Sequence, residues 1–152
     1  MRILRFPQLR PEKGIPYSRQ HLHNLENTEP PLFAKRVELG PNRIGWVEFE
    51  IDAWNAEKAI ARDVCDREET MIDLIVNNIR KIGLSDFSIE YSDEFAAASL
   101  LRMFNSHEQI LRIANRIGER LGNPRVTAKL KKALSKWGVS KDTIDAQEAD
   151  AA

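Results

Sequence analysis

A turn at residues 40–42 constrains the fold of this chain more than any other feature. Gly40, Pro41 and Asn42 favour tight turns, and they separate two short runs in which apolar and polar side chains alternate. We therefore predict a β-hairpin over residues 33–46. The apolar spacing changes to that of a helix on both sides, so the hairpin stands between two helical segments.

The segments around the hairpin carry the signals of three helices. Before it, residues 6–13 open with a proline near the first helical position, and Ser18 is a suitable N-cap for a helix that ends near Glu26. After it, apolar residues at helical spacing follow from Val47 onward, with acidic residues in the first turn, where the helix dipole favours them. This order of polar helix, tight basic hairpin and amphipathic helix is typical of a small winged helix-turn-helix domain.

Four further segments have the apolar spacing and the caps of helices. They are residues 70–82, 93–104, 107–121 and 124–137. Ser106 and Gln109 have the spacing of a capping box at the start of the third segment. Phe87, Ile89 and Tyr91 alternate with polar residues and predict one short strand. The fold class is therefore mainly α, with an α-helical C-terminal region after the winged domain.

The net charge of zero conceals a segregation of charge along the chain. Residues 1–46 contain eight Lys/Arg and four Asp/Glu, residues 47–108 contain six and fourteen, and residues 109–152 contain nine and five. Affinity for nucleic acid depends on a local basic patch, so a neutral total does not exclude it. Segregated charge also occurs in proteins that bind no nucleic acid, and by itself it is a weak indication.

Composition points to a cytoplasmic protein without membrane contact. No stretch approaches the ~18 consecutive apolar residues of a membrane helix, and residues 1–7 lack the apolar core of a signal peptide. The single cysteine, Cys65, excludes an intramolecular disulfide and gives no metal-ligand spacing. No Ser/His/Asp set, paired-carboxylate site or glycine-rich phosphate loop stands out. We therefore expect no enzyme activity, no cofactor and no metal.

The polar side chains of residues 17–24 and of the hairpin suit a DNA-binding surface. The second helix of a helix-turn-helix lies in the major groove, where Arg19 can pair with guanine and Gln20 or Asn24 with adenine. The wing can contact the backbone or the minor groove beside that helix. The candidate contact residues are Tyr17, Ser18, Arg19, Gln20, His21, Asn24, Lys35, Arg36, Asn42 and Arg43. A solvated helix face is the plain alternative, and the hairpin is the feature that favours DNA.

Several motifs in the first 62 residues resemble a known family. They are residues 14–22 (GIPYSRQHL), Phe33, residues 36–46 (RVELGPNRIGW) and residues 50–54 (EIDAW). Taken as one ordered set, they are similar to the AlpA family of prophage and mobile-element regulators, which are related to MerR-type winged helices and phage excisionases. The resemblance implies a non-enzymatic, site-specific DNA binder with Ser18, Arg19, Gln20 and His21 on the reading helix and Arg43 on the wing.

One segment departs from the family pattern. The family usually has a Gly-x-Phe-Pro-like turn after the reading helix, whereas residues 27–34 (NTEPPLFA) contain no glycine and place the prolines elsewhere. We therefore expect the link between reading helix and wing to follow a path of its own.

The basic C-terminal helices admit three interpretations. Arg112, Arg116 and Arg120 form one stripe, and Arg125, Lys129, Lys132 and Lys136 form another on the next helix. Solvated faces of a helical bundle, an oligomerisation module and a second contact to the DNA backbone all remain open. The acidic residues of 63–73 are expected to form a solvated helix face.

Together these signals predict a winged helix-turn-helix over residues 1–62, a helical region over residues 66–138 and a disordered tail at residues 139–152. Residues 62–69 fit either a hinge or a continuing helix. The predicted function is sequence-specific binding of double-stranded DNA that controls transcription of a prophage or integrated element, by a homodimer or cooperative oligomer. An integrase or RNA polymerase is the further partner expected. The alternatives are an excisionase-like DNA-bending factor and a protein-interaction adaptor or antiactivator without a DNA role.

Overall fold

The computed structural model describes residues 1–62, 66–83 and 91–139. This part of the chain forms seven helices and a three-stranded sheet near the N-terminus, and it confirms the predicted mainly helical class. The elements are β1 (Ile3–Leu4), α1 (Phe6–Lys13), α2 (Arg19–Glu26), β2 (Val37–Gly40), β3 (Arg43–Val47), α3 (Glu48–Arg62), α4 (Arg67–Ile82), α5 (Asp93–Met103), α6 (His107–Leu121) and α7 (Pro124–Ser135).

The predicted hairpin is present as β2 and β3, and its turn contains Asn42 in the left-handed region, at φ 57°. The sheet has the order β1-β3-β2 with antiparallel neighbours, so β3 is central. Strand β1 was not predicted, because two residues are too few to show an alternating pattern. Gly45 permits its close approach, since a Cβ atom there would lie 2.9 Å from the carbonyl oxygen of Leu4.

The helix boundaries differ from the predictions at a few points. Helix α4 begins at Arg67, three residues before the predicted start, and the Asp66 side chain caps it by accepting from the backbone N–H of Glu69. Asp66 has φ 58°, so α3 and α4 are separate helices rather than one continuing helix. Helix α7 ends two residues before the predicted Trp137. Residues 63–65 lie outside the described part of the chain.

The predicted capping box at α6 is wrong in one of its two bonds. The hydroxyl of Ser106 does accept from the backbone N–H of Gln109, at 3.3 Å. The amide of Gln109, however, donates to Glu68 on α4, at 3.0 Å, so this side chain links two helices instead of capping its own. The strand predicted at Phe87 and Ile89, and residues 140–152 of the predicted tail, lie outside the described residues.

One apolar core connects the sheet and α1–α3 with the later helices. It includes Trp46 on β3, Ile51 on α3, and Ile72 and Leu100 on α4 and α5, all almost completely buried. Each such side chain contributes roughly 1.5–3 kcal/mol through removal from water. Helix α3 contacts both α4 and α5, so it joins the N-terminal elements to the helical region.

A buried ion pair reinforces this junction. Arg102 on α5 donates to both carboxylate oxygens of Glu57 on α3, at 3.0 and 2.8 Å, and also to the carbonyl oxygen of Pro31, at 2.8 Å. The hydroxyl of Ser99 donates to the same carboxylate. The side chains of Arg102 and Glu57 are only 7% and 4% exposed, and their hydrogen bonds compensate for the loss of water.

The acidic residues of α4 remain partly exposed, as predicted, but they also form ion pairs with α6 that the sequence did not predict. Arg116 of α6 pairs with Glu68, at 3.1 Å, and with Glu69, while Arg120 pairs with Asp73, at 2.5 Å. The arginine stripe of α6 therefore faces the acidic residues of α4 across the helix pair. Its charge is largely neutralised within the fold.

Candidate nucleic-acid interface

Helix α2 presents one apolar side to the core and its polar side to solvent. It begins after Ser18, whose extended backbone and hydroxyl suit an N-cap, and this hydroxyl accepts from the backbone N–H of His21 at 3.1 Å. Leu22 is fully buried and anchors the helix. The predicted reading residues Arg19, Gln20, His21 and Asn24 are all exposed. The structure therefore brings them together on one accessible helix of two turns.

The exposed side chains of α2 are already ordered by contacts within the protein. The guanidinium carbon of Arg19 lies 4.8 Å from the centre of the Phe6 ring, in a cation–π arrangement. The amide of Gln20 donates to the side-chain oxygen of Asn24, at 3.0 Å. The half-buried Tyr17 ring lies 4.6 Å from the ring of His21. Side chains held in this way lose less conformational freedom when a ligand binds them.

The tip of the hairpin exposes Asn42 and Arg43. Asn42 occupies the left-handed region that the turn requires, a conformation that Asn adopts more readily than most residues. Among the described residues, no carboxylate forms an ion pair with Arg43 or with Arg19, in contrast to Arg36 and Arg102. Both guanidinium groups are thus available to an anionic partner.

The two basic residues before the hairpin have different surroundings. Lys35 is exposed, and its ammonium lies 3.9 Å from the carboxylate of Glu94. Arg36 is half-buried and donates from Nε to Glu26 at 2.6 Å. The same carboxylate accepts from the indole N–H of Trp46 on β3, at 2.6 Å. Arg36 therefore helps to hold the end of α2 against the wing.

Glu26, the buried centre of this network, was not predicted as part of the site. It is 5% exposed and connects the last turn of α2 with the central strand of the sheet. An acidic residue in the last turn of a helix is unfavourable for the helix dipole. That position was the available signal that Glu26 has a partner elsewhere in the fold.

The link between α2 and the wing is compact despite its lack of glycine. The Thr28 hydroxyl donates to the carbonyl oxygen of Leu25, at 2.9 Å, and accepts from the backbone N–H of Leu32, at 3.0 Å. The buried Phe33 ring then packs edge-on against Trp54, with ring centres 5.1 Å apart. These contacts fix how α2 and the hairpin lie relative to each other.

Two other basic residues of the N-terminal elements, Lys13 and Arg2, form ion pairs within the fold. Lys13 pairs with Glu48, at 3.0 Å, and with Asp52, at 2.7 Å. The hydrogen bond to Asp52 raises the pKa of Lys13, and the bond from Lys13 lowers the pKa of Glu48. Arg2 pairs with Glu12 and Glu48. The positive charge of residues 1–46 is consequently divided between internal pairs and exposed arginines that include Arg5, Arg10, Arg19 and Arg43.

The described residues contain no group of three or more His, Cys, Asp or Glu side chains that could hold a metal ion. Across residues 1–62, 66–83 and 91–139, every helix is too short or too polar to cross a membrane.

Comparison with protein families supports the resemblance seen in the motifs. Residues 2–59 match the family described as Prophage CP4-57 regulatory protein (AlpA). The match extends from β1 into the last part of α3 and includes all the candidate contact residues. The predicted AlpA resemblance is thereby confirmed for this segment, and residues 60–152 lie beyond it. No curated protein and no solved structure matches the chain.

Proposed function

We propose that this protein is a sequence-specific DNA-binding regulator that controls transcription of a prophage or an integrated element. Residues 1–62 act as its DNA-binding part, and residues 66–138 act as a helical accessory part. The observation that carries the proposal is the exposed polar face of α2 beside a hairpin tipped by Arg43, within a segment that matches a prophage regulatory family. A helix and a wing side by side suit a groove and the adjoining backbone of duplex DNA.

Each exposed side chain has a role in this proposal. Arg19 donates its two parallel N–H groups to a guanine edge, and Gln20 and Asn24 bind an adenine edge. Ser18 and Tyr17 donate their hydroxyl protons to phosphates, and His21 contacts the same strand.

On the wing, Arg43 and Asn42 contact the backbone, while Lys35 adds positive charge at the base of the hairpin. Arg36 supports the surface through Glu26, which orients the reading helix relative to the wing.

The adaptor hypothesis requires an acidic surface that is free to bind a basic partner. Most of the described acidic residues of 47–108 instead form ion pairs within the protein or are buried. Among the described acidic residues of 47–108, those in ion pairs are Glu48, Asp52, Glu57, Glu68, Glu69, Asp73 and Glu94. Glu50 is buried. A basic protein partner would have to displace these internal cations, whereas no carboxylate of the described residues pairs with Arg19 or Arg43. This difference favours an anionic partner over a basic one.

Two copies acting together suit this surface. One reading helix of eight residues contacts few base pairs, so a dimer or a cooperative oligomer extends the recognised site. We propose this arrangement in the cytoplasm, with RNA polymerase or an integrase as a further partner at the bound site.

A mobility-shift titration with DNA from the protein's own genomic neighbourhood tests the proposal. Arg19→Ala should weaken binding to the site about 5- to 150-fold, the equivalent of a lost bidentate base contact of ~1–3 kcal/mol. Arg19→Lys keeps the charge but not the planar fork, so it should lose site preference while retaining affinity for bulk DNA. Arg62→Ala, a change at an exposed arginine at the end of α3, is the matched control.

A discrete complex that resists competition by bulk DNA, and that both Arg19 variants weaken, supports the proposal. Equal binding by wild type, Arg19→Ala and Arg62→Ala would contradict it. If the wild-type protein forms no complex with this DNA, the proposal fails and the adaptor hypothesis is favoured instead.

A further inference from the structure

The two basic helices at the C-terminal end of the fold differ in what lies opposite them. On α6, Arg112 and Arg116 pair with Glu68, and Arg120 pairs with Asp73. On α7, Arg125 and Lys132 are exposed, and no carboxylate of the described residues forms an ion pair with either. The fold therefore neutralises one basic helix and leaves positive charge on the surface of the other.

Four exposed basic residues of α7 and its C-cap lie on one line. Arg125, Lys129, Lys132 and Lys136 are spaced by four, three and four residues, which places them on the same side of the helix. We call these four residues the α7 stripe. At a rise of 1.5 Å per residue the stripe is roughly 16 Å long, which matches the axial length of about five base pairs of duplex DNA. Lys131, also exposed, points to a different side of α7 and lines a groove between α6 and α7.

One end of the α7 stripe lies beside the proposed DNA surface. Lys136 donates to Glu94 at 2.7 Å, and Lys35, at the base of the wing, approaches the same carboxylate at 3.9 Å. Lys136 and Trp137 also line a polar cleft with Asn27, the residue that follows α2. Lys35 and Lys136 therefore meet at the junction between the wing and α7, where they share the carboxylate of Glu94 and where Glu26 and Glu29 line the same cleft.

We infer that the α7 stripe is a second contact to duplex DNA, which binds the phosphate backbone that flanks the site read by α2. The inference rests on the proposed function and adds a surface outside the segment that matches the AlpA family. Its chemistry is that of lysine and arginine on phosphate, so it contributes affinity without base preference. Lys136 remains with Glu94 at the junction, and Arg125 and Lys132 supply the outer contacts.

The test compares two duplexes and four proteins, which are wild type, one double variant, Lys131→Ala and Arg19→Ala. A short duplex contains only the recognised site, and a long duplex adds flanking DNA on both sides. The double variant Arg125→Ala/Lys132→Ala should lose most of the extra affinity that wild type has for the long duplex, on the order of 10- to 60-fold at ~0.1 M salt for two phosphate contacts. The slope of log affinity against log salt should fall by about 1.8 on the long duplex.

Lys131→Ala is the control for position, because it removes one positive charge from another face of the same helix. It should bind both duplexes as wild type does. Thermal unfolding of all variants, followed by circular dichroism, verifies that the helices remain folded. Arg125, Lys131 and Lys132 are exposed, so we expect midpoints close to that of wild type.

The outcomes separate this inference from the proposed function. Long-duplex affinity and salt slope that are unchanged in the double variant, together with weakened binding by Arg19→Ala, would overturn the α7 contact alone. No discrete wild-type complex on either duplex would overturn both. An equal loss in Lys131→Ala and in the double variant would also overturn the inference, because total charge rather than the stripe would then account for the effect.

Discussion

Helix α6 and the surface of α2 with the wing are both rich in arginine, and the fold uses them differently. The arginines of α6 face the acidic residues of α4 and join two helices. Arg19 and Arg43 face solvent without a carboxylate among the described residues. Spacing along the sequence shows which arginines share a face, but the element that packs opposite decides whether the face is structural or available to a ligand.

The same distinction separates single arginines within the N-terminal region. Arg36 immediately precedes the wing in sequence and Arg43 lies at its tip, yet the Nε of Arg36 is bound to the buried Glu26. Substitutions can therefore be ranked by whether the arginine has an internal partner and by how deeply that pair is buried.

The largest effect on stability is expected for Arg102→Ala. The change leaves the carboxylate of Glu57 buried without its cation, a situation that costs about 3–5 kcal/mol. Urea unfolding should show a large decrease in the midpoint. Arg43→Ala, at the exposed wing, should change the free energy of unfolding by less than about 0.5 kcal/mol. Similar losses of unfolding free energy in the two variants would contradict the distinction between arginines that have a partner within the fold and arginines that are available to a ligand.

A smaller effect on stability is expected for Arg116→Ala. Its side chain is 37% exposed, so its pairs with Glu68 and Glu69 are partly screened by water. Removing it should cost about 1 kcal/mol or less, and the cost should decrease as salt increases. If the loss of unfolding free energy were as large as that of Arg102→Ala, the ion pairs between α4 and α6 would contribute more to stability than expected for partly exposed pairs.

The dependence of stability on pH should differ in sign between two glutamates of α3. Burial raises the pKa of Glu50, although a hydrogen bond from the backbone N–H of Ser92 opposes the shift. The stabilising contribution of Glu50 is therefore present at low pH and is lost as pH rises through its folded pKa. Glu50→Gln should be more stable than wild type at pH 7, with a difference that shrinks on acidification.

Glu48 provides the opposite case for the same measurement. The hydrogen bond from Lys13 lowers the pKa of Glu48, so its contribution is present at neutral pH and is lost as pH falls through its folded pKa. Glu48→Gln should be less stable than wild type at pH 7, and this deficit should shrink in acid. Unfolding curves at several pH values that show the same sign for both variants would contradict the assigned causes.

Local signals in the sequence were sufficient for most elements of the fold. The Ser18 cap and the turn at Asn42 depend on short-range chemistry, and both are present where predicted. Strand β1 is defined by its pairing with β3, so no local sequence pattern predicts it. Helix α4 likewise begins earlier than its apolar spacing suggested, because its first turn is polar and is capped by Asp66.

The residues of the candidate site could be predicted from the sequence, but the tertiary contacts that hold them in place could not. Arg19, Gln20 and Asn24 could be placed on one helix from their spacing. The pairing of Arg36 with Glu26 joins residues ten positions apart through a fold that the sequence does not display, and that of Arg102 with Glu57 joins residues 45 positions apart. Tertiary contacts of this kind divide basic residues into those that hold the fold and those that remain available.

The most direct test of the central claim is a side-by-side DNA titration of Arg43→Ala and Arg116→Ala across about 50 to 200 mM salt. Both variants remove one arginine, so their net charges are identical. Arg43→Ala should bind more weakly and should reduce the slope of log affinity against log salt by about one, because a phosphate contact is lost. Arg116→Ala should retain the wild-type slope. Equal slopes for the two variants, or a reduced slope for Arg116→Ala alone, would contradict the assignment of the α2–wing surface.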